Sequence, residues 1–333
     1  MEVTRGSQIE SVHCAALAVA DSEGRLTARL GSTDHVIYLR SSAKPFQAMA
    51  VIESGAAAAF GFTPRELAVI AGSHSSEPIH VETVKGILAK IGLDASALQC
   101  GTHVPFSRAV ADEYRRSGRP FTALEHNCSG KHAGMLAAAL AGGHDPATYL
   151  SPVHPVQQRI MGVVADLTGR MRDRIIVAVD GCGAPTLGVT LAEAARAFAR
   201  LVAPDMLAME HRESAARIVG AIRQHPEMIA GQGMMDTELS AYPSHNLIAK
   251  RGAEGVQCAA YVKDGVGHGI AAKVGDGDNG RARAALTMEA LRQLGLLSDS
   301  DLSGLTASAG LSIRNDAGRE IGKVRAVFTL QRA

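Results

Sequence analysis

Residues 13–31 read HCAALAVADSEGRLTARLG, the stretch that best indicates how the chain folds. Within it, two apolar segments, residues 13–20 and 26–31, flank the polar turn sequence Asp21-Ser22-Glu23-Gly24. Short apolar segments joined by a turn that ends in glycine predict a β-hairpin. Residues 35–39 add a third short apolar segment. We therefore expect the chain to begin with antiparallel strands.

The far end of the chain repeats this strand pattern, whereas the middle is helical. Residues 256–263 and 268–274 flank the turn Asp264-Gly265, and residues 323–330 form a last predicted strand. In the middle, Thr63-Pro64-Arg65-Glu66 predicts a helix start, because threonine and glutamate at this spacing form a capping box. The pattern predicts an α/β (α+β) fold. In it, an antiparallel sheet from the N- and C-terminal segments is flanked by helices and carries a mostly helical insertion.

We interpret residues 1–333 as a single unit with two subregions. The sheet subregion comprises residues 8–40 and 245–333, and the mostly helical subregion comprises residues 41–244. The sequence shows no internal repeat, low-complexity tract or obvious linker. Subregions of this kind commonly place an active site in a cleft between them.

The composition argues against several classes of function. The 34 basic and 33 acidic residues nearly balance, so there is no basic field for nucleic acid, and aromatic residues make up only 4%. No apolar run approaches the roughly 18 residues of a membrane span, and the first residues do not resemble a signal peptide. The five cysteines are odd in number and scattered, which is typical of a reducing compartment. We expect a cytoplasmic protein without a membrane or nucleic-acid partner.

A candidate nucleophile and a candidate base lie close together in Arg40-Ser41-Ser42-Ala43-Lys44-Pro45, between a predicted strand and a predicted helix. Ser41 and Lys44, three residues apart in the first turn of a helix, project to the same side. Burial disfavours the charged form of lysine, and a neutral amine can act as a base toward a neighbouring hydroxyl. Ser-x-x-Lys therefore indicates a serine acyl-transfer site, although the spacing alone is a weak motif.

Two further polar segments strengthen this interpretation. Gly72-Ser73-His74-Ser75 lies on a predicted loop between two helices, and Lys250, one of only eight lysines, precedes the C-terminal hairpin. Penicillin-recognising enzymes show Ser-x-x-Lys, a second serine and a second lysine in this order, and use them to move protons around an acyl-enzyme. The alternatives are helix-capping serines and a solvated surface lysine.

Cys128 and Cys182 both lie in glycine-rich polar turns. Two thiolates with a nearby nitrogen donor could hold a soft divalent ion, with zinc the first choice. From the residues alone, the third ligand would be His126 or His132, since lysine is a rare metal ligand. The alternative is that each cysteine is a small buried hydrophobic residue.

Asp180 ends the apolar, β-branched segment 174–179, which predicts a buried strand. A carboxylate at the carboxyl end of a strand often meets a ligand. Asp180 could therefore bind the ammonium group of a substrate. The alternative is an aspartate that caps a helix or closes a turn.

Five blocks together resemble the rhizobial-type L-asparaginase II family, also called class 3 L-asparaginases. The blocks are Arg40-Ser41-Ser42-Ala43-Lys44, Gly72-Ser73-His74-Ser75, residues 127–135, Asp180-Gly181-Cys182-Gly183-Ala184-Pro185 and Lys250-Arg251-Gly252-Ala253-Glu254-Gly255. The Cys-Ser-Gly-Lys-His and Asp-Gly-Cys-Gly sequences are the specific ones, and the resemblance extends from about residue 10 to 330. It implies a fold related to glutaminases and serine β-lactamases, and hydrolysis of L-asparagine to L-aspartate and ammonia.

The resemblance also implies roles for individual residues. It pairs Ser41 with Lys44 and Ser73 with Lys250, and it places a lysine rather than a histidine on the metal. The implied catalytic residues are Ser41, Lys44, Ser73 and Lys250; the substrate-binding residues are Arg40, His74, Asp180, Gly252, Ala253 and Glu254; the metal ligands are Cys128, Lys131 and Cys182. We expect one zinc ion per chain, which modulates binding because a serine already supplies the nucleophile, and a homodimer.

The expected reaction proceeds through a serine acyl-enzyme. Ser41 would lose its proton to neutral Lys44 and attack the side-chain carboxamide of asparagine, while Ser73 and Lys250 relay protons or hold the nucleophile themselves. Two alternatives remain open at this point. One is a glutaminase or a β-lactam-recognising serine hydrolase, and the other is a non-catalytic zinc-binding or amino-acid-binding protein.

Overall fold

The computed structural model of the chain describes residues 1–244, 246–305 and 311–332. Within the predicted sheet subregion, His245, residues 306–310 and Ala333 lie outside the described residues. The chain forms two compact units. The sheet unit comprises Met1–Ser42, Val189–Met206 and Gly233–Ala333, and the helical unit comprises Ala43–Gly188 and Leu207–Gln232. The predicted bounds 8–40, 41–244 and 245–333 stay a prediction, since compactness alone does not show which parts fold independently.

The chain folds into helices and antiparallel strands, and this confirms the predicted α/β class. The strands are β1 (Glu2–Arg5), β2 (Gln8–Val12), β3 (Ala15–Asp21), β4 (Leu26–Leu30), β5 (Val36–Tyr38), β6 (Ile176–Val179), β7 (Pro185–Thr190), β8 (Ile248–Arg251), β9 (Val256–Lys263), β10 (Val266–Val274), β11 (Ser312–Arg314), β12 (Glu320–Arg325) and β13 (Gln331–Arg332). The helices are α1 (Lys44–Glu53), α2 (Ala56–Ala59), α3 (Pro64–Ile70), α4 (Pro78–Lys90), α5 (Arg108–Ser117), α6 (Ser129–Ala141), α7 (Pro155–Thr168), α8 (Leu191–Val202), α9 (Met209–Gln224), α10 (Met235–Ala241), α11 (Ala282–Gln293) and α12 (Asp299–Gly304). In the part of the chain that is described, no helix has both the length and the apolar character needed to cross a bilayer.

The N- and C-terminal strands share one sheet of the sheet unit, as predicted. Six strands follow the order β13-β4-β3-β10-β9-β8, and β3 runs antiparallel to β10 with Val19 opposite Ile270. The predicted turn between β3 and β4 is closed by Asp21, whose Oδ1 accepts hydrogen bonds from the backbone N–H groups of Glu23 and Arg25. This pairing of distant strands positions β8, which carries Lys250.

Helix α8 packs directly on this sheet because a glycine faces it. A Cβ atom at Gly269 on β10 would lie only 1.9 Å from the carbonyl oxygen of Ala195 on α8. Any side chain at this position would therefore force the helix away from the sheet. The apolar core of the sheet unit includes Leu17, Val19 and Leu286, all fully buried.

The helical unit brings α6 against α3. Helix α3 begins with the predicted capping box, in which Thr63 Oγ1 accepts from the Glu66 N–H and Glu66 Oε2 accepts from the Thr63 N–H. A Cβ atom at Gly130 on α6 would lie 2.4 Å from the carbonyl oxygen of Val69. Glycine thus permits the close contact that fixes the first turn of α6, where Lys131 lies.

The segment before Asp180 differs from its prediction. It forms a strand, β6, that pairs with β7 in antiparallel register, but the strand is not buried. Ile176 is 44% exposed, Val177 39% and Val179 74%. The prediction of a buried strand was wrong because β-branched composition indicates strand geometry and does not show what covers the strand.

Glu53, Asp166 and His211 join three helices of the helical unit. His211 on α9 lies with Nδ1 2.8 Å from Oε1 of Glu53 on α1 and with Nε2 3.0 Å from Oδ2 of Asp166 on α7. Only the protonated imidazolium can donate to both carboxylates. These hydrogen bonds, of which the one with Glu53 has the largest effect, outweigh burial and raise the pKa of His211 to about 9.

This cluster predicts a pH-dependent stability. Because the folded pKa is raised above the unfolded value, the stabilisation is complete below about pH 6.5 and is lost as the pH rises through about 9. The difference in unfolding free energy between the wild type and His211→Asn should shrink by roughly 3 kcal/mol between pH 6 and pH 10. Urea unfolding at several pH values measures it, and a constant difference would show that His211 is not held protonated.

Candidate active site

Lys44 begins α1 and is 1% exposed. Its Nζ lies 2.9 Å from Oγ of Ser73, 2.7 Å from the carbonyl oxygen of Gly72 and 3.1 Å from that of Asn127. Burial lowers the pKa of Lys44, because water cannot solvate its charged form. The helical unit therefore pairs a buried amine with a serine hydroxyl.

The three oxygen neighbours of the Lys44 amine are not equivalent. Gly72 and Asn127 present carbonyl oxygens, which only accept hydrogen bonds, whereas the hydroxyl of Ser73 can also donate. A neutral amine has two N–H donors and one lone pair. Cys128 is a further neighbour, and both its negative charge and a hydrogen bond with its sulfur favour the charged form of Lys44. When Lys44 is neutral and the two carbonyls take both of its donors, its lone pair can accept the proton of the Ser73 hydroxyl.

Sequence reasoning missed this contact. It paired Ser41 with Lys44 and Ser73 with Lys250, and each of these pairs joins a residue of the sheet unit to a residue of the helical unit. Both pairs stay predictions. Lys44 and Ser73 are 29 positions apart, so no spacing along a helix or strand could have indicated their contact.

The loop that carries Ser73 is held by several hydrogen bonds. The Ser73 N–H donates to the carbonyl oxygen of Ile229 at 2.7 Å. His74 is fully buried, accepts from the Ser76 N–H at Nδ1 and therefore donates from Nε2 to Oγ of Ser129 at 2.8 Å. Burial lowers the pKa of His74 well below its ordinary value, so the ring is neutral. The protein engages both ring nitrogens of His74, and its contact with a substrate stays a prediction.

The Ser-x-x-Lys segment begins in the sheet unit. Arg40, Ser41 and Ser42 lie in a short 3-10 helix, Arg40–Ala43, rather than in the first turn of α1. Arg40 has a φ of +50°, a left-handed conformation that is uncommon outside glycine and often marks functional sites. Ser42 is fully buried, and its Oγ donates to the carbonyl oxygen of Leu39 at 2.6 Å. Ser41 is only half-buried.

Lys250 lies on β8 and is 1% exposed. Its Nζ is 4.0 Å from Oδ2 of Asp236, which is equally buried. Sequence reasoning missed Asp236, because an acidic residue in the first turn of a helix is typical of any helix start. Gly252, Ala253 and Glu254 form the turn between β8 and β9, where Glu254 is exposed. Substrate binding by these three residues stays a prediction.

The structure brings together Cys128, Lys131 and Cys182, the predicted metal ligands. All three are buried, and Lys131 Nζ lies 3.0 Å from Sγ of Cys182. A hydrogen bond from the Cys182 thiol lowers the pKa of Cys128 well below its ordinary value, despite burial. Burial opposes protonation of Lys131, but the negative charge of Cys128 and the hydrogen bond with Cys182 help to outweigh it and raise the pKa of Lys131. These directions describe a thiol and a thiolate with the ammonium group of Lys131 beside them.

A metal site with His126 or His132 as its third ligand is not formed among the described residues. The described residues contain no group of three or more histidine, cysteine, aspartate or glutamate side chains placed to hold a metal ion. His126 Nδ1 accepts from the Cys128 N–H at 3.0 Å, and His132 Nδ1 lies 2.6 Å from the hydroxyl of Tyr149. The set that includes Lys131 offers two sulfurs, which zinc prefers, and a lysine nitrogen, which can bind a metal only after it has lost its proton. The residues present fit a zinc ion whose binding releases the Lys131 proton.

Asp180 lies next to this cluster, in the turn that follows β6. Its backbone N–H donates to the carbonyl oxygen of Ala184 and its carbonyl accepts from the Gly183 N–H, both at 2.9 Å. The charge of Asp180 contributes to the raised pKa of Lys131. Asp180 is thus a turn residue close to the cysteines, and its contact with a substrate ammonium stays a prediction.

Comparison with known proteins found one family and several solved structures. The model of the family described as L-asparaginase II matches residues 1–326. Mglu in its native form is 17% identical with a TM-score of 0.43, and the match covers 86% of this chain and 66% of that one. Mglu in its L-glutamate binding form is 17% identical with a TM-score of 0.44, and the match covers 90% of this chain and 65% of that one. A β-lactamase from Mycobacterium bovis is 14% identical with a TM-score of 0.40, and the match covers 85% of this chain and 95% of that one.

These structural matches are distant. The chain spans just under two thirds of the length of the two Mglu chains, and TM-scores below 0.5 do not carry an activity from one protein to another. No match was found among the curated proteins.

Proposed function

Because the chain belongs to the L-asparaginase II family, we propose that it is an amidohydrolase that converts L-asparagine to L-aspartate and ammonia. Family membership supports hydrolysis of an amide. The observation that carries the proposed chemistry is the contact between Lys44 Nζ and Ser73 Oγ, 2.9 Å apart and buried. A serine beside a buried amine is the arrangement that serine acyl transfer needs.

In the proposed mechanism, Lys44 accepts the proton of Ser73 through its lone pair, and Ser73 Oγ attacks the carboxamide carbon. The C–N bond breaks and ammonia leaves with a proton from Lys250. Water then attacks the acyl-enzyme and gives a proton to Lys250, while Lys44 returns its proton to the serine oxygen. The alternative is that Ser41 attacks and Ser73 passes the Ser41 proton to Lys44.

The test is release of ammonia and aspartate from L-asparagine by the purified protein. L-glutamine and a chromogenic cephalosporin, offered in parallel, distinguish an asparaginase from a glutaminase and from a β-lactam-recognising hydrolase. Binding of asparagine without turnover would instead favour a non-catalytic amino-acid-binding protein and would overturn the proposal.

We also propose that Cys128, Lys131 and Cys182 hold one zinc ion per chain. Bound zinc, a Lewis acid, would help to orient the substrate. It would not have to supply a nucleophile, since serine and lysine already provide a nucleophile and a base. The zinc site and the Lys44–Ser73 pair both lie in the helical unit.

The zinc proposal predicts metal content independently of activity. The purified protein should contain about one zinc per chain, and Cys182→Ser should lose most of it, because one of the two sulfur ligands is removed. Elemental mass spectrometry measures the content, with Cys14→Ser, a change at an exposed cysteine, as the control. An unchanged zinc content in Cys182→Ser would contradict the site.

Removal of zinc by a chelator should leave the enzyme with part of its asparagine turnover.

We propose further that the protein is a cytoplasmic homodimer. The free state of all five cysteines supports a reducing compartment.

Four apolar residues of the helical unit support the dimer. Met171, Ile176, Val177 and Val179 are 39–74% exposed, as is typical of a surface that a partner covers. Light scattering should give about twice the chain mass of 34.7 kDa, and Val179→Lys should shift the protein toward monomer. A wild type that is monomeric at all concentrations would contradict the proposal.

A further inference from the structure

Asp236 is a buried carboxylate with a hydrogen bond to each of its oxygens. It lies near the start of α10 in the sheet unit and is 1% exposed. Its Oδ2 accepts from the Arg251 N–H at 2.9 Å, and its Oδ1 accepts from Nε2 of Gln257 at 3.0 Å. Two donors aimed at a carboxylate favour its ionised form.

The charges around Asp236 act in the same direction. Lys250 and Arg251 on β8 and Arg283 on α11 face it. Burial opposes ionisation, but these cations and the hydrogen bond from Arg251 outweigh it and lower the pKa of Asp236. The carboxylate is therefore negative at any pH at which the enzyme would work.

Among these cations, Lys250 has the largest effect on Asp236. The two side chains are each nearly inaccessible to water, and Oδ2 and Nζ are 4.0 Å apart. A buried opposite charge at this distance favours the ammonium form of lysine. Cys258, which lies opposite Lys250 on β9, does not change this balance, because burial raises its pKa to about 12 and keeps the thiol neutral.

We propose that Asp236 is a positioning residue that keeps Lys250 protonated and in place, so that Lys250 donates the proton that leaves with ammonia. This inference rests on the proposed function and assigns the two lysines different tasks. Lys44 contacts the Ser73 hydroxyl and receives its proton. Lys250 lies beside the Asp236 carboxylate, while its Nζ also donates to the carbonyl oxygen of Arg251 at 3.1 Å, and it gives a proton. After ammonia has left, the neutral Lys250 amine takes a proton from the attacking water and regains its ammonium form beside Asp236.

Asp236→Asn tests the proposal through a pH profile. The variant should lower kcat by about 10- to 100-fold with KM within threefold. The basic limb of kcat/KM should move to lower pH by about 1 unit or more, because Lys250 has lost its opposite charge. Asp236→Glu should keep the basic limb near its wild-type position. Glu238→Gln, which removes a carboxylate two residues further along α10, should leave the profile unchanged.

A second measurement needs no turnover and no change at Asp236. In protein labelled with 15N-lysine, the Nζ signal of Lys250, assigned by its loss in Lys250→Met, should be that of an ammonium group at pH 8. A neutral amine at pH 8, or an Asp236→Asn profile that superimposes on the wild type, would overturn the inference. Absence of ammonia release by the wild type would instead overturn the proposed function, and the Lys250 signal would still decide its charge.

Discussion

Ser73→Ala is expected to lower kcat for asparagine hydrolysis by about 10⁴-fold or more, which is the loss seen when an acyl-transfer enzyme loses its nucleophile. The expectation follows from the buried Lys44 amine, whose Nζ lies 2.9 Å from the Ser73 Oγ and which, when neutral, can accept the Ser73 proton. KM should change little, because Ser73 is proposed to act on the reacting carbon and not to hold the amino acid. Steady-state ammonia release measures both constants.

Two matched variants decide what such a loss means. Ser41→Ala should lower kcat by at most about 100-fold if Ser41 only relays protons. Ser75→Ala removes a hydroxyl two residues away on the same loop, where it donates to Oε1 of Glu77, and should keep most of the activity. If Ser41→Ala were the more damaging variant, Ser41 would be the nucleophile and Ser73 the relay. If Ser75→Ala lost as much as Ser73→Ala, the loop would have only a structural role.

An acid quench during turnover identifies the nucleophile directly. Peptide mass mapping of the quenched enzyme should find an aspartyl ester on the peptide that contains Ser73. An ester on the peptide that contains Ser41 would contradict the assignment.

Lys44→Met is expected to lower kcat by about 10³- to 10⁴-fold. Methionine preserves the length and apolar stem of the side chain but removes the lone pair that would take the Ser73 proton. It also leaves the carbonyl oxygens of Gly72 and Asn127 without their lysine donor, at a cost of about 1–3 kcal/mol for each one left unsatisfied. Urea unfolding must therefore accompany the kinetic measurement.

Lys90→Met separates these two effects. Lys90 also lies in the helical unit and donates to the carbonyl oxygen of Gly61 at 2.9 Å and to Oε2 of Glu66 at 2.7 Å. Its replacement should cost stability while kcat remains within threefold of the wild type. In Lys44→Ala, which leaves room for a small amine, added methylamine should restore part of the activity and none of the stability. A Lys44→Met enzyme with at least a tenth of the wild-type kcat would show that Lys44 is not the base.

Much of the fold could be predicted because its signals are local. The apolar segments on each side of Asp21–Gly24 predicted the β3–β4 hairpin, and the capping box at Thr63 predicted the start of α3. The last strand was less accurate. Residues 323–330 were predicted as one strand, but β12 ends at Arg325 and β13 begins at Gln331. Strand ends depend on pairing with distant strands, which neighbouring residues do not report.

The candidate site was predictable as a set of residues and not as a set of contacts. Glycine-rich polar turns indicated Cys128 and Cys182, and the family resemblance added Lys131; the structure brings these three side chains together. No sequence signal connected Lys44 to Ser73 or Asp236 to Lys250, because both contacts join residues that are far beyond one helical turn from each other.

The sequence by itself determined the class of fold, the family and the types of side chain available for chemistry, because turn residues, capping residues and short motifs act over a few neighbouring positions. Only the tertiary structure decided which groups meet, that β6 is exposed, and that Lys44 contacts the Ser73 hydroxyl while Lys250 lies beside a carboxylate. The proposed roles of the two lysines depend on these contacts, because in a buried site the charge of a group depends on its nearest neighbours in space rather than in sequence.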